Sequence, residues 1–246
     1  MLQYTKEVNH VMSLEQRDRF IQQIFTVVAP YVDSLSSGFS FWLDHLWRRR
    51  AVALSGIREG QKVLDVCSGT GELSFLLAQK VGPNGSVIGA DFCNNMLALA
   101  RKKAGGNWSN VSFIFSDAKK LPFPDQSFDA VTVSFGMRNI PDTQLALREI
   151  CRVLRPGGAF VCLELTRPHS RWFLHLYQWY VFRVMPFIGK LVVKTSAPYL
   201  YLPRSINAFY QPSEFKTLIE RSGFSDVCVN SFTMGVATLY RAAKYG

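Results

Sequence analysis

The chain lacks any pair of cysteines near enough in sequence to form a C-x-x-C unit. Its five, Cys67, Cys93, Cys151, Cys162 and Cys228, are widely scattered, which speaks against a disulfide framework and against a zinc site and fits a reducing compartment. Acidic residues are scarce: 18 Asp and Glu stand against 28 Lys and Arg, a formal net charge of +10. Such an excess favours acidic partners, whether nucleic acid, an anionic membrane surface or an anionic ligand. The basic residues are dispersed, with local clusters only at 48–50 and 101–103, so no nucleic-acid partner is called for. Long apolar runs are also missing. The stretch 172–193 (WFLHLYQWYVFRVMPFIGKLVV) is rich in aromatics but broken by His175, Arg183, Pro186 and Lys190, short of the roughly 18 uninterrupted apolar residues of a spanning helix. It reads as an interfacial or substrate-covering helix, or as a partly buried core helix. The first ten residues, MLQYTKEVNH, have no continuous apolar core and read as a ragged terminus rather than a secretory signal. A cytoplasmic protein follows.

What is present is a core. The chain has 246 residues, 48% of them hydrophobic, with a mean hydropathy of +0.06, enough for one large α/β domain. Apolar runs rich in β-branched or aromatic residues read as buried strands at 62–67, 86–91, 111–116, 128–135 and 158–165. Segments of helical spacing lie between them, stopped by Gly82, Gly105 and Pro156-Gly157-Gly158. This alternation predicts a doubly wound, mostly parallel sheet with right-handed crossovers, whose ligands bind beyond the carboxyl ends of the strands. The remainder divides into a helical N-terminal cap over 14–56, broken by the Ser/Gly-rich 34–38, then a core over 62–165 and a substrate-side insertion over 166–210. A closing helix (212–222) and two strands (224–230 and 236–241) joined by Thr233-Met234-Gly235 follow within 211–246, making the final strand antiparallel.

Directly after the first strand comes Val63-Leu64-Asp65-Val66-Cys67-Ser68-Gly69-Thr70-Gly71-Glu72. A G-x-G turn between strand and helix lets backbone approach a ligand closely, and alone it fits dinucleotides as well. Here the third glycine position is Ser74, Asp65 sits at the strand end, and Glu72 follows Gly71. These carboxylates repel a pyrophosphate, whereas S-adenosylmethionine carries an ammonium and a sulfonium and no phosphate. Asp91 ends the second strand, where a carboxylate can accept ribose hydroxyls. Asp117-Ala118 follows the third strand, able to read an adenine edge through carboxylate and backbone N–H, or merely to cap the turn before Lys119. Ser134 and Phe135 end the fourth strand as a floor beneath a reacting methyl group.

The chain resembles the ubiquinone/menaquinone biosynthesis C-methyltransferases over about 25–241, through SFGMRNIPD (134–142), RVLRPGGAFVCLELT (152–166), DAKKLPFPDQSFDAV (117–131) and YLYLPRSI (199–206). The LRPGG and LPFPDQSFD patterns belong to the wider superfamily; SFGMRN and YLxxSI point to the quinone family. The resemblance implies a class I, Rossmann-like methyltransferase fold. It also implies cofactor contacts at Thr70, Asp91, Asp117, Ala118 and Ser134, and a prenylated quinol as methyl acceptor. In the cap signature Asp33, Ser40 and Trp47 fit, while Val32 replaces the family's tyrosine and Asp44 its histidine, which bears on the identity of the quinone.

Transfer from a sulfonium needs no metal, but the acceptor carbon needs a phenolate-like ring. Arg138 is the candidate for the oxyanion and Asn139 for orienting the same oxygen; the alternative for Arg138 is an ion pair holding its loop. His45, His169 and His175 receive no role. Three rival readings stand beside this one: methylation of another phenolic or lipid small molecule, a non-catalytic cofactor-binding scaffold, and an NAD-dependent oxidoreductase, against which Asp65 and Ser74 weigh. An amine or nucleobase methylase is disfavoured because Ser134-Phe135-Gly136-Met137 stands where N/D-P-P-Y is expected. A polyprenyl tail gives 172–193 a purpose, as a channel wall or as a peripheral contact with the inner face of the cell membrane. A homo-oligomer is left open.

Overall fold

The computed structural model describes residues 13–193 and 197–246; the N-terminal decapeptide read above as a ragged terminus lies outside them. Seven strands form one sheet in the order β3-β2-β1-β4-β5-β7-β6. They are β1 (Lys62–Val66), β2 (Ser86–Asp91), β3 (Val111–Phe115), β4 (Phe128–Ser134), β5 (Leu154–Leu165), β6 (Phe224–Phe232) and β7 (Ala237–Lys244). The first five pair in parallel. Strand β7 runs antiparallel between β5 and β6, as read from the sequence. Strand order reverses between β1 and β4, which opens a crevice at their carboxyl ends.

The central strands are apolar because both faces are covered: Val63, Leu64, Phe128, Ala130, Val131 and Val133 are wholly buried. On either face pack α4 (Glu72–Val81), α5 (Asn94–Ala104), α6 (Thr143–Val153) and α10 (Pro212–Arg221). Helix α6 shows how local signals agree. The Asp142 side chain accepts the Leu145 N–H at its start, and Ala146, Leu147, Ile150 and Val153 form its buried stripe.

Ahead of the sheet lie α1 (Leu14–Val28), α2 (Val32–Phe39) and α3 (Leu43–Leu54). The serine- and glycine-rich 34–38 does not break the cap; it lies inside α2. Packing overrides weak propensity there, since Ser37 is buried and bonded to His45 Nε2 at 2.8 Å. The break comes at Phe41 and Trp42, both left-handed at φ 53° and 62°. Likewise α6 stops at Val153, not at Pro156-Gly157-Gly158, which lies within β5 where its pairing with β4 shifts register. The two closing strands run longer than their apolar runs predict, because their main chains pair along almost their whole length.

Between β5 and α10 the chain forms α7 (Arg171–Trp179), a π-helical turn (Tyr180–Val184), α8 (Met185–Val193) and α9 (Ala197–Ala208). The aromatic stretch is thus one nearly continuous helix with a wide turn at its middle. Among the described residues, no helix is long and apolar enough to cross a membrane.

Candidate functional site

A cavity of about 610 Å³ opens at the carboxyl ends of β1, β2 and β4, roofed by the cap and by α7–α9. Its polar end is built by the glycine loop. Gly69 and Gly71 have φ of 55° and 87°, and a Cβ on Gly71 would come within 2.8 Å of the Phe113 ring, so only glycine fits there. Gly69 N–H donates to Asp91 Oδ2 at 2.9 Å and Cys93 N–H to Asp91 Oδ1 at 2.8 Å, locking loop and β2 end together. Asp65, 1% exposed, accepts from Ser74 Oγ at 2.6 Å and Thr132 Oγ1 at 2.8 Å. The serine in the third glycine position therefore orients the acid at the β1 end. Burial, offset only in part by those hydroxyls, pushes the Asp65 carboxyl up to about 6 and raises Asp91 as well.

The other sequence candidates are placed as follows. Thr70 is buried and donates to Asp33 Oδ1 of α2 at 2.6 Å. Lys103 closes this latch, bonding Asp33 at 2.7 Å and Glu72 at 2.6 Å. Asp117 takes up the turn-capping role, accepting from Lys119 N–H at 2.9 Å, while its half-exposed carboxylate and buried Ala118 still line the cavity. Ser134 Oγ is buried with no hydrogen-bond partner among the described residues, and so is Ser68 Oγ. Two orphaned hydroxyls facing a cavity that also holds Asp65 and Asp91 fit a polar, cationic ligand such as S-adenosylmethionine.

At the floor, Cys67 and Phe135 take left-handed φ of 56° and 59°, and a Cβ on Gly136 would lie 2.3 Å from Cys67 Cβ. Non-glycine residues in that region are strained and cluster at functional sites. Beyond Phe135, Arg138 Nη1 donates to Glu164 Oε1 at 2.5 Å and to Phe135 O at 2.6 Å. The loop-holding ion pair is therefore real, and Glu164 is fully buried. Arg138 Nε is buried without a partner among the described residues. Asn139 is held on both sides, its Oδ1 accepting from Tyr201 Oη at 3.0 Å and its Nδ2 donating to Phe135 O at 3.3 Å.

Tyr177 and Tyr201 escaped the sequence reading; burial pushes both phenols up to about 12, and Arg138 lies close enough to oppose that rise. Only the YLYLPRSI resemblance hinted at Tyr201. Val32, in the family's tyrosine position, packs against Val28, Ala29, Cys93 and Met96. Asp44, in the histidine position, is buried and bonded to Ser40 Oγ at 2.7 Å and Arg48 Nη1 at 2.6 Å. Arg48, also overlooked, stands with its Cζ 5.0 Å from the Phe135 ring centroid. His45 lines the cavity, whereas His169 and His175 are exposed and bonded to Ser231 and to the Arg171 carbonyl. Among the described residues, no group of three His, Cys, Asp or Glu could hold a metal ion.

Sheet order, antiparallel β7 and an acidic glycine loop at the switch point define an S-adenosylmethionine-dependent methyltransferase of Rossmann-like fold. Solved structures agree on the fold. A SAM-dependent methyltransferase from Aquifex aeolicus superposes with a TM-score of 0.60 at 21% identity, over 80% of this chain and 89% of that one. Phosphoethanolamine N-methyltransferase 2 of Haemonchus contortus, in complex with S-adenosylmethionine, gives 0.61 at 18% identity, over 83% of this chain and 53% of that one. The model of the ubiE/COQ5 methyltransferase family matches residues 11–244, and the chain belongs to that family. Demethylmenaquinone methyltransferase of Staphylococcus aureus (strain JH9) is 42% identical over 224 residues, 91% of this chain and 92% of the relative.

Proposed function

We propose that the chain methylates a ring carbon of a prenylated quinol, converting demethylmenaquinol to menaquinol, 2-polyprenyl-6-methoxy-benzoquinol to its methylated product, or both. The observation that carries this reading is the change in cavity character along its length. Carboxylates crowd the glycine-loop end, while Phe39, Val181, Met185, Tyr199 and Ile206 make the far end apolar, as a hydrocarbon tail requires. When bound, S-adenosylmethionine supplies an activated methyl group and a neutral thioether as leaving group. The acceptor carbon gains the methyl and gives up its proton.

In this reading Asp65, Gly69, Gly71, Asp91, Asp117, Ala118 and Ser134 hold the cofactor, and Thr70 fixes the cap over it. Arg138, held by Glu164, keeps Nε and Nη2 for the quinol oxygen, so negative charge developing there meets a fixed cation in a water-poor site. Asn139 holds the Tyr201 hydroxyl, whose own oxygen is left to accept from the quinol. The test is methyl transfer from radiolabelled S-adenosylmethionine to each reduced quinol, with the oxidised quinones as controls. Label in a quinol and none in the quinones is expected. No label anywhere, with cofactor binding intact, moves the acceptor to another phenolic or lipid molecule or makes the chain a scaffold.

A peripheral seat on an anionic bilayer accompanies this reading. Trp172, Leu176, Trp179, Phe187 and Leu191 are all more than half exposed, on the helix run whose Tyr177, Val181 and Met185 line the cavity. Phe41, 70% exposed, packs on Tyr180 of the same run. Residues 165–213 contain no Asp or Glu but include Arg167, Arg171, Arg183, Lys190, Lys194 and Arg204. Exposed aromatics on a segment whose sequence carries basic and no acidic residues suit an interface of anionic headgroups.

A further inference from the structure

Among the described residues, three cations besides Arg48 line the cavity, and Lys103 stands behind the glycine loop. Lys103 is tied to Asp33 and Glu72, Lys119 to Asp18 at 2.5 Å, Arg138 to Glu164, and Arg19 is exposed on α1. Arg48 differs from all of these. It projects from α3 with a side chain only 12% exposed, and its single bond among the described residues runs from Nη1 to Asp44 Oδ2. The opposite edge of the guanidinium, Nε with Nη2, has no partner among the described residues. That edge is a planar pair of parallel donors, the geometry that grips a carboxylate with two bonds.

Its surroundings say which carboxylate. Arg48 stacks over Phe135 at the end of β4, and it is near enough to Asp65 at the end of β1 that its charge counters the upward push on that carboxyl. The cation therefore stands between the two strand ends that flank the glycine loop. S-adenosylmethionine carries an ammonium and a carboxylate on one carbon. A site that receives the ammonium at Asp65 brings the carboxylate within a few bond lengths of it, among Asp44, Asp65 and Asp91. Without a cation those three acids would repel it.

We propose that Arg48 is the anchor for the α-carboxylate of S-adenosylmethionine, gripping it through Nε and Nη2 while Asp44 fixes the guanidinium through Nη1. The seat is assembled by the cap, so it couples the amino-acid end of the cofactor to closure of α3 on the sheet. Asp44 is a positioning residue here, and Ser40 in turn holds Asp44.

Calorimetric titration of the full chain with S-adenosylmethionine and with decarboxylated S-adenosylmethionine, which lacks only the carboxylate, tests the assignment without turnover. In the wild type the decarboxylated ligand should bind about tenfold to a hundredfold more weakly, the worth of a charge-assisted bidentate bond. In Arg48→Met that gap should close, because affinity for the complete cofactor falls and affinity for the decarboxylated one does not. Arg48→Lys should keep part of the gap. Since Arg48→Met leaves buried Asp44 unpaired, Asp44→Asn/Arg48→Met, which removes the pair together, carries the same measurement if the single variant melts early. An unchanged gap in these variants, or an equal loss for both ligands, overturns the proposal.

Discussion

Arg138 and Glu164 pose the sharpest question at the scale of single residues, because one bond serves both architecture and chemistry. Removing the guanidinium altogether leaves a carboxylate stranded in the core, at a cost of about 3–5 kcal/mol, so Arg138→Ala should lower the melting temperature and blur any kinetic reading. Arg138→Lys keeps the charge and loses the fork. It should cost about a hundredfold in kcat while the dissociation constant of S-adenosylhomocysteine stays within about twofold of the wild type, as calorimetry and steady-state kinetics would show. Equal losses in both would assign Arg138 to structure alone. Asp65 makes a second prediction, in pH. Its folded carboxyl titrates near 6, above an ordinary aspartate at 3.8, so in the cofactor-free chain its stability contribution is present at low pH and fades as pH rises from about 4 to 6. Cofactor binding runs the other way: the ammonium wants the ionised acid, so affinity should be full above about pH 6 and fall below it, a dependence that Asp65→Asn should abolish in the same titration. The sequence made Asp65, Gly69, Gly71 and Asp91 readable because each sits at a strand end or turn where chain geometry dictates residue type. It left Tyr177, Tyr201 and Arg48 unread, since their place in the cavity depends on how separate helices cross, which no local spacing encodes.

At the scale of elements, the core alternation was legible and the cap boundary was not. Strands β1 to β5 announce themselves by short apolar runs, whereas serine and glycine in α2 suggested a break that packing removes. The true break is strained, with two exposed aromatic residues, Phe41 and Trp42, in left-handed backbone. Such a conformation costs about 1–2 kcal/mol for a residue other than glycine. Trp42→Gly should therefore raise stability by about 1 kcal/mol in urea unfolding, net of glycine's greater freedom in the unfolded chain. A destabilised variant would mean that the indole holds the corner. The glycine loop behaves oppositely: Gly71→Ala meets the Phe113 ring and an unfavourable φ, and should weaken S-adenosylhomocysteine binding at least tenfold, measured as above, through about 1–3 kcal/mol of strain.

For the whole molecule, the exposed aromatics of the helix run after β5 lie in a segment, residues 165–213, that carries no acidic residue. Vesicles of mixed anionic and zwitterionic lipid should retain the protein on flotation at low salt and release most of it at about 0.5 M, where the screening length falls to a few ångströms. Purely zwitterionic vesicles should hold much less. Trp172→Ser/Trp179→Ser should weaken capture on the anionic vesicles without altering cofactor affinity. Capture indifferent to both lipid charge and these variants would refute the bilayer seat while leaving quinol methylation standing.

The π-helical turn at Tyr180–Val184 carries an implication for how this segment can change length. Counting about 100° per residue, an unbroken α-helix would carry Leu191 about a quarter-turn off the line of Trp172, Leu176 and Trp179; one residue absorbed in the wider turn restores the line and keeps Met185 on the same side as Tyr177 and Val181. The turn is thus a place where a single residue can be deleted without twisting either flank. Relatives one residue shorter here would keep both the inner wall and the outer stripe, with the wide turn replaced by unbroken α-helix.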